Sequence, residues 1–152
     1  MVVPSANERS ARTVGSELIS VVLADDHELM RTRLRSLLEE DEEIEMIADT
    51  GELREAISCV LRTRPRVLVL DLSMQRGSGI EAVRRLRARL PDTEIVALKM
   101  AADAAFARGA FEAGAIAFVL KDTADEELLD AVRLAARGER YLSPRIAGGS
   151  VP

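Results

Sequence analysis

At 152 residues, with 47% hydrophobic side chains and no tryptophan, the chain has the size of one ordinary domain and enough apolar material for a core. Its net charge of −5 argues against nucleic acid as the principal partner, and no apolar run nears the roughly 20 residues of a membrane-spanning helix. Cys59, the single cysteine, excludes an internal disulfide, makes a cysteine-based zinc site improbable, and falls among Ala56, Ile57, Val60 and Leu61 as a packing thiol.

The chain opens on a polar stretch, 1–17, read as a disordered tail; it lacks the apolar middle of a signal peptide, which points to a cytoplasmic protein. The folded domain is read as residues 18–138. A first strand, Ile19–Ala24, runs into Asp25-Asp26, and a helix follows from about Leu29 to Glu40 with Leu34, Leu37 and Leu38 on one face. Ile44–Ala48 reads as a second strand and Glu52–Arg62 as a second helix, stopped by Pro65. Val67-Leu68-Val69-Leu70-Asp71 is the central strand: an uninterrupted aliphatic run is the mark of a strand covered on both faces.

Gly77 and Gly79 loosen the next loop, and a third helix carries Ile80, Val83, Leu86 and Leu90 at helical spacing. The spacing predicts a fourth strand over Glu94–Leu98 ending at Lys99. A weak, alanine-rich helix over about Asp103–Ala113 follows, in which Gly109 costs about 1 kcal/mol relative to alanine. A fifth strand, Ala117–Leu120, ends at Lys121. Thr123 with Glu126 three residues on predicts a capping box for the last helix, with Leu128, Leu129, Val132 and Ala135 inward and Glu127, Asp130 and Arg133 outward. That helix stops at Gly138, and 139–152 reads as a linker or tail with no effector domain.

Five strands alternating with five helices predict an α/β fold, a doubly wound parallel sheet. Ligands of such sheets gather at the carboxyl ends of the strands. There this sequence delivers Asp25, Asp26 and Asp71, a pocket for a divalent cation, together with Lys99 and Lys121. Those are the only two lysines, against nineteen arginines, so each invites a separate question.

Taken together, Val-Val-Leu-Ala-Asp25-Asp26-His27, Val-Leu-Val-Leu-Asp71-Leu-Ser-Met, Gly79-Ile-Glu-Ala, Gly114-Ala and Phe118-Val-Leu-Lys121-Asp resemble a response-regulator receiver domain of the NarL/FixJ (LuxR-type) subgroup. The resemblance implies a flavodoxin-like (βα)5 fold and a two-component signalling role, with a sensor histidine kinase as partner. Asp71 would accept a phosphoryl group. Asp26, Asp71 and the Ser73 carbonyl would ligate Mg2+, Asp25 would hold it through water, and Lys121 would pair with the phosphoryl group. The physics agrees: Mg2+ takes oxygen ligands and keeps several waters, and phosphoryl transfer asks mainly for alignment and charge neutralisation.

Two residues depart from the family's pattern: Lys99 replaces the switch Ser or Thr that works with an aromatic, here Phe118, and Gln75 replaces a proline. An ammonium within about 4 Å of a carboxylate gains about 4 kcal/mol at an effective dielectric near 20, before desolvation. One reading therefore has Lys99 reach Asp71 or the acid pair and partly substitute for the cation. The other points it along the sheet edge into solvent. The alternative function is an atypical receiver that acts as a phosphorylation-independent interaction module. A haloacid-dehalogenase-like hydrolase would need an aspartate where Ser73 stands.

His27 reads as the opening of the first helix rather than a metal ligand, Arg84, Arg85, Arg87 and Arg89 as a solvated helix face, and Met74 and Met100 as packing. The resemblance also implies a homodimer, through the first and last helices or through the fourth helix, fifth strand and last helix. In relatives a stretch like Tyr141-Leu-Ser-Pro leads into a DNA-binding helix-turn-helix; this segment itself is expected to contact neither DNA nor membrane.

Overall fold

Side chains from Val67 to Leu70 are each at most 1% exposed, the outcome expected of an apolar run with no polar alternation. The computed structural model describes residues 18–74 and 79–146. In chain order they form β1 (Ile19–Ala24), α1 (Glu28–Glu39), β2 (Ile44–Thr50), α2 (Leu53–Thr63), β3 (Val67–Asp71) and α3 (Ile80–Arg89). Then come β4 (Glu94–Lys99), α4 (Ala104–Ala113), β5 (Ala117–Leu120), α5 (Ala124–Ala136) and β6 (Tyr141–Leu142). The expectations for 1–17, Gln75, Gly77 and the glycine pair after residue 146 lie outside the described residues.

The strands make one parallel sheet in the order β2-β1-β3-β4-β5-β6. Strand pleating sends alternate residues to opposite faces. Val22, Leu68, Leu70, Ala97 and Phe118 pack under α2, α3 and α4; Val21, Leu23, Val67, Val69, Leu98 and Val119 pack under α1 and α5. Fully burying each of these side chains larger than alanine contributes about 1.5–3 kcal/mol. The chain leaves β1 toward β2 and returns to β3 on the other side, so a crevice opens at the carboxyl ends of β1 and β3. Among the described residues no helix is long and apolar enough to cross a membrane.

Three expectations change. The segment past Gly138 is not simply a linker: Tyr141–Leu142 pairs with Ala117–Phe118 as a sixth strand, and Ser143 and Ile146 are buried. Two strand residues carry no readable period, which is why the sequence did not announce them. Glu127 does not face out; it is 8% exposed and accepts from the Tyr141 hydroxyl (3.1 Å) and the Ser143 hydroxyl (3.2 Å), clasping β6 to α5. Burial, then the Glu127 charge, push the Tyr141 phenol up to about 12.

The third change is the predicted capping box. Thr123 precedes α5 but makes no side-chain cap; its hydroxyl faces the Leu120 carbonyl at 3.5 Å. A 3-10 turn over Lys121–Thr123 leaves Thr123 at φ −114°, ψ 16°, away from the extended conformation a capping side chain needs. Asp103 does cap α4, accepting from the Phe106 N–H at 2.8 Å.

Smaller findings follow the same logic. Met74 packs against the core, whereas Met100 is 54% exposed rather than packed. Leu34, Leu38, Leu128 and Val132 are fully buried; Leu37 and Leu129 are only partly so. Arg84, Arg85 and Arg89 are solvated as expected, but Arg87 is half-buried and donates to the Gly114 carbonyl and Glu94, tying α3 to the α4–β5 turn.

Candidate functional site

Strand parity decides which end-of-strand residues meet. Ala24 is in register with Leu70, so Asp25 and Asp71 emerge side by side on the face of Val21, Leu23, Val67 and Val69. Lys121 extends the alternation of Ala117 and Val119 to that same face. Asp71 is in register with Leu98, not Lys99. Lys99 is therefore one step out of phase and continues the opposite face, that of Ile95, Ala97 and Phe118.

The resulting cluster is tight. Asp25 and Asp71 have side chains with 0% exposure, and Lys121 Nζ stands between them, 3.1 Å from Asp25 Oδ1, 2.9 Å from Asp25 Oδ2 and 3.1 Å from Asp71 Oδ2. Although Asp25 Oδ2 lies within ion-pair range, it receives no hydrogen bond, and among the described residues it is the buried side-chain oxygen left so. Asp26 sits at the mouth, 45% exposed. The Ser73 N–H donates to Asp71 Oδ1 at 2.9 Å, folding the start of the following loop against the carboxylate.

Three carboxylates against one ammonium leave a formal excess of two negative charges, a balance that a divalent cation would close. Oxygen donors, buried and partly orphaned, are the set a hard cation takes. The donor atoms of Asp25, Asp26, His27 and Asp71 lie within 4.8 Å of one another. The residues present thus fit Mg2+.

Strand β2, from which the sequence offered no member, supplies a supporting residue. Asp49 accepts from the Arg31 Nε at 3.0 Å, and Arg31 in turn donates to the Asp25 carbonyl at 2.7 Å; Arg35 also bonds Asp49. This arginine brace holds the backbone of the acid pair. It was invisible in the sequence because it joins residues from two elements and a turn.

His27 has two roles. Its backbone opens α1 as expected: it is the N-cap, its N–H donates to Asp25 Oδ1 at 2.8 Å, and its carbonyl accepts from Arg31. Its imidazole makes no cap bond, and Nδ1 turns to the cluster, 3.1 Å from Lys121 Nζ.

Lys99 and Phe118 are not part of the cluster. Lys99 Nζ lies 5.1 Å from the centroid of Phe106, and Phe106 meets the fully buried Phe118 edge-on, centroids 6.0 Å apart and planes at 76°. The place beside Asp71 that one reading assigned to Lys99 is held by Lys121. Beside the cluster opens a hollow of about 300 Å³, lined by His27, Leu29, Met30, Arg33, Met100 and Lys121.

Residues 21–133 match the model of the response regulator receiver domain family. The chain is 37% identical over 129 residues to the oxygen regulatory protein NreC of Staphylococcus epidermidis, covering 84% of this chain and 59% of that protein. It is 34% identical over 131 residues to the transcriptional regulatory protein LiaR of Bacillus subtilis, covering 86% and 62%. The chain thus spans less than two thirds of the length of these curated relatives. Among solved structures, a LuxR-family two-component response regulator from Aurantimonas sp. SI85-9A1 superposes with a TM-score of 0.81 at 33% identity, over 87% of this chain and 94% of that one.

Proposed function

This chain belongs to the response regulator receiver family, with LuxR- and NarL-type relatives, and from that premise we propose that it is a phosphoryl-accepting input module of a two-component transcriptional regulator in the cytoplasm. In this reading a carboxylate oxygen of Asp71 attacks the phosphorus of a phosphohistidine on a sensor kinase. The phosphorus–nitrogen bond breaks, and its electron pair leaves on the imidazole. The observation that carries the reading is the placement of Lys121 Nζ between two fully buried carboxylates at the carboxyl rim of a parallel sheet.

Asp26, Asp71 and the Ser73 carbonyl would hold Mg2+ directly and Asp25 through water. Bound there, the cation neutralises charge on the transferring group and orients it. Lys121 is positioned to follow that charge, since an ammonium already within 3.1 Å of Asp71 needs only a short movement to pair with a phosphoryl oxygen. The Ser73 N–H bonds Asp71 Oδ1 and Lys121 bonds Oδ2, so movement of the ammonium onto the incoming phosphoryl group would free Oδ2 to attack.

The test is phosphodonor labelling. Incubation with acetyl phosphate and Mg2+, followed by phosphate-affinity electrophoresis, should retard the wild type and leave Asp71→Asn unretarded. Equal retardation of both, or none in the wild type with Mg2+ present, would defeat the assignment.

A second reading, an interaction module indifferent to phosphate, is favoured by one observation. Lys99 stands where a small hydroxyl is expected and is engaged with Phe106, which in turn abuts Phe118. Lysine has only donors, so it can pair with a phosphoryl group but cannot leave the vacated space a short hydroxyl would. Either reading accommodates a homodimer. Because β6 occupies the outer edge of β5, the face of α1 and α5 is the better placed of the two candidates.

A further inference from the structure

The imidazole of His27 is the member of the cluster for which phosphoryl acceptance has no task. Helix initiation uses only its backbone. Its Nδ1 lies 3.4 Å from Asp25 Oδ1, 3.5 Å from Asp26 Oδ1 and 4.0 Å from Asp71 Oδ2. Ligands of a tetrahedral zinc with bonds of about 2.0–2.1 Å sit about 3.3–3.4 Å apart. The separations from Asp25 and Asp26 match that spacing, and Asp71 Oδ2 stands somewhat farther out.

A cationic probe already marks the centre. Lys121 Nζ has four acceptor atoms within 3.1 Å: both oxygens of Asp25, Asp71 Oδ2 and His27 Nδ1. An ammonium offers only donors, so a hydrogen bond across the 3.1 Å to His27 Nδ1 needs the nitrogen lone pair, the same lone pair that metal ligation uses. Asp25 Oδ2, wholly buried, lies 2.9 Å from that ammonium without receiving a hydrogen bond, which leaves it a lone pair for a cation.

We propose that His27 Nδ1 is a ligand of the cation site, and that the site accordingly selects a divalent transition ion such as Zn2+ over Mg2+ beyond what its carboxylates alone would give. Imidazole suits Zn2+, Ni2+ and Cu2+, whereas Mg2+ is served by oxygen, so the nitrogen strengthens one class and leaves the other nearly untouched. The proposal rests on the reading of the acid cluster as a cation site. A dication bound there would repel the Lys121 ammonium that now stands among the same acids. His27 is 64% exposed, so the ring is reachable from solvent without unfolding.

The experiment uses tag-free protein, in which His27 is the only histidine, so that its ring nitrogens give unambiguous resonances. Zn2+ and Mg2+ are titrated separately into wild type and His27→Ser by calorimetry, with the imidazole 15N signals followed in the wild type. Serine keeps a good helix N-cap, so the variant should unfold at the wild-type temperature. The expected result is a displaced Nδ1 signal with Zn2+ and a Zn2+ affinity at least about ten-fold lower in His27→Ser, since even outer partners of a metal cost about 10–100-fold. Mg2+ affinity should stay within about two-fold. An unmoved Nδ1 signal, an unchanged Zn2+ affinity, or an equal loss for both ions overturns the ligand assignment. If Mg2+ binding and phosphodonor labelling persist in that case, the receiver reading survives and only His27 is reassigned. If His27→Ser fails to fold, the wild-type Nδ1 signal decides alone.

Discussion

Replacing Lys121 by methionine keeps the aliphatic stem but removes the ammonium facing two carboxylates whose side chains are wholly buried. Breaking a buried ion pair from one side costs about 3–5 kcal/mol, because the abandoned charge stays desolvated. Here two carboxylates lose the same partner. For a domain of this size each kcal/mol shifts the unfolding midpoint by about 3–5 °C, so the midpoint in chelator should fall by about 10–25 °C. Mg2+ should restore more to the variant than to the wild type, because it no longer competes with the ammonium. At a hundred times its dissociation constant it contributes about 2.7 kcal/mol. Thermal unfolding by circular dichroism, with EDTA and with MgCl2, measures both numbers. In the double variant Lys121→Met/Asp71→Asn one of the stranded charges is gone, and part of the loss should return. An unchanged midpoint for Lys121→Met in EDTA, or a double variant worse than the single one, would refute the electrostatic account.

Lys99→Thr should cost at most about 1–2 kcal/mol, the range of one cation–π contact, and should leave Asp71 labelling intact. If Lys99 disables the switch, only the threonine variant will show changed Phe118 ring signals on adding the phosphoryl mimic beryllofluoride; identical responses would clear Lys99. The β6 clasp should weaken at high pH: the phenol of Tyr141 is raised to about 12 from 10, so its contribution is complete below about pH 10 and is lost as pH climbs through 12. Hydrogen exchange of the Ser143 amide, bonded to the Phe118 carbonyl, reports this, and Tyr141→Phe should abolish the pH step. Gly79, at φ +80° with room for no Cβ (the Leu72 carbonyl oxygen would be 2.2 Å away), should not tolerate alanine. A loss above about 2 kcal/mol is expected in denaturant unfolding, since the left-handed backbone alone costs about 1–2 kcal/mol and the clash adds to it.

Much of this molecule is written in local pattern. The aliphatic run before Asp71, the acid pair after Ala24 and the glycine after Ala113 each fix an element through burial, charge or backbone freedom within a few residues. So the parallel sheet, its order of elements and the convergence of Asp25, Asp26, Asp71 and Lys121 on one rim follow from the sequence. What the tertiary structure alone decided depends on pairings across the fold. Register put Asp71 opposite Leu98, which sent Lys99 to the far face and onto Phe106. The clasp of Glu127 with Tyr141 and Ser143 turned a presumed linker into a sixth strand. The backbone at His27 aimed an imidazole at the acids. A strand's periodicity says which residues share a face, but which neighbours they meet there is set by partners distant in sequence, and no local pattern carries that information.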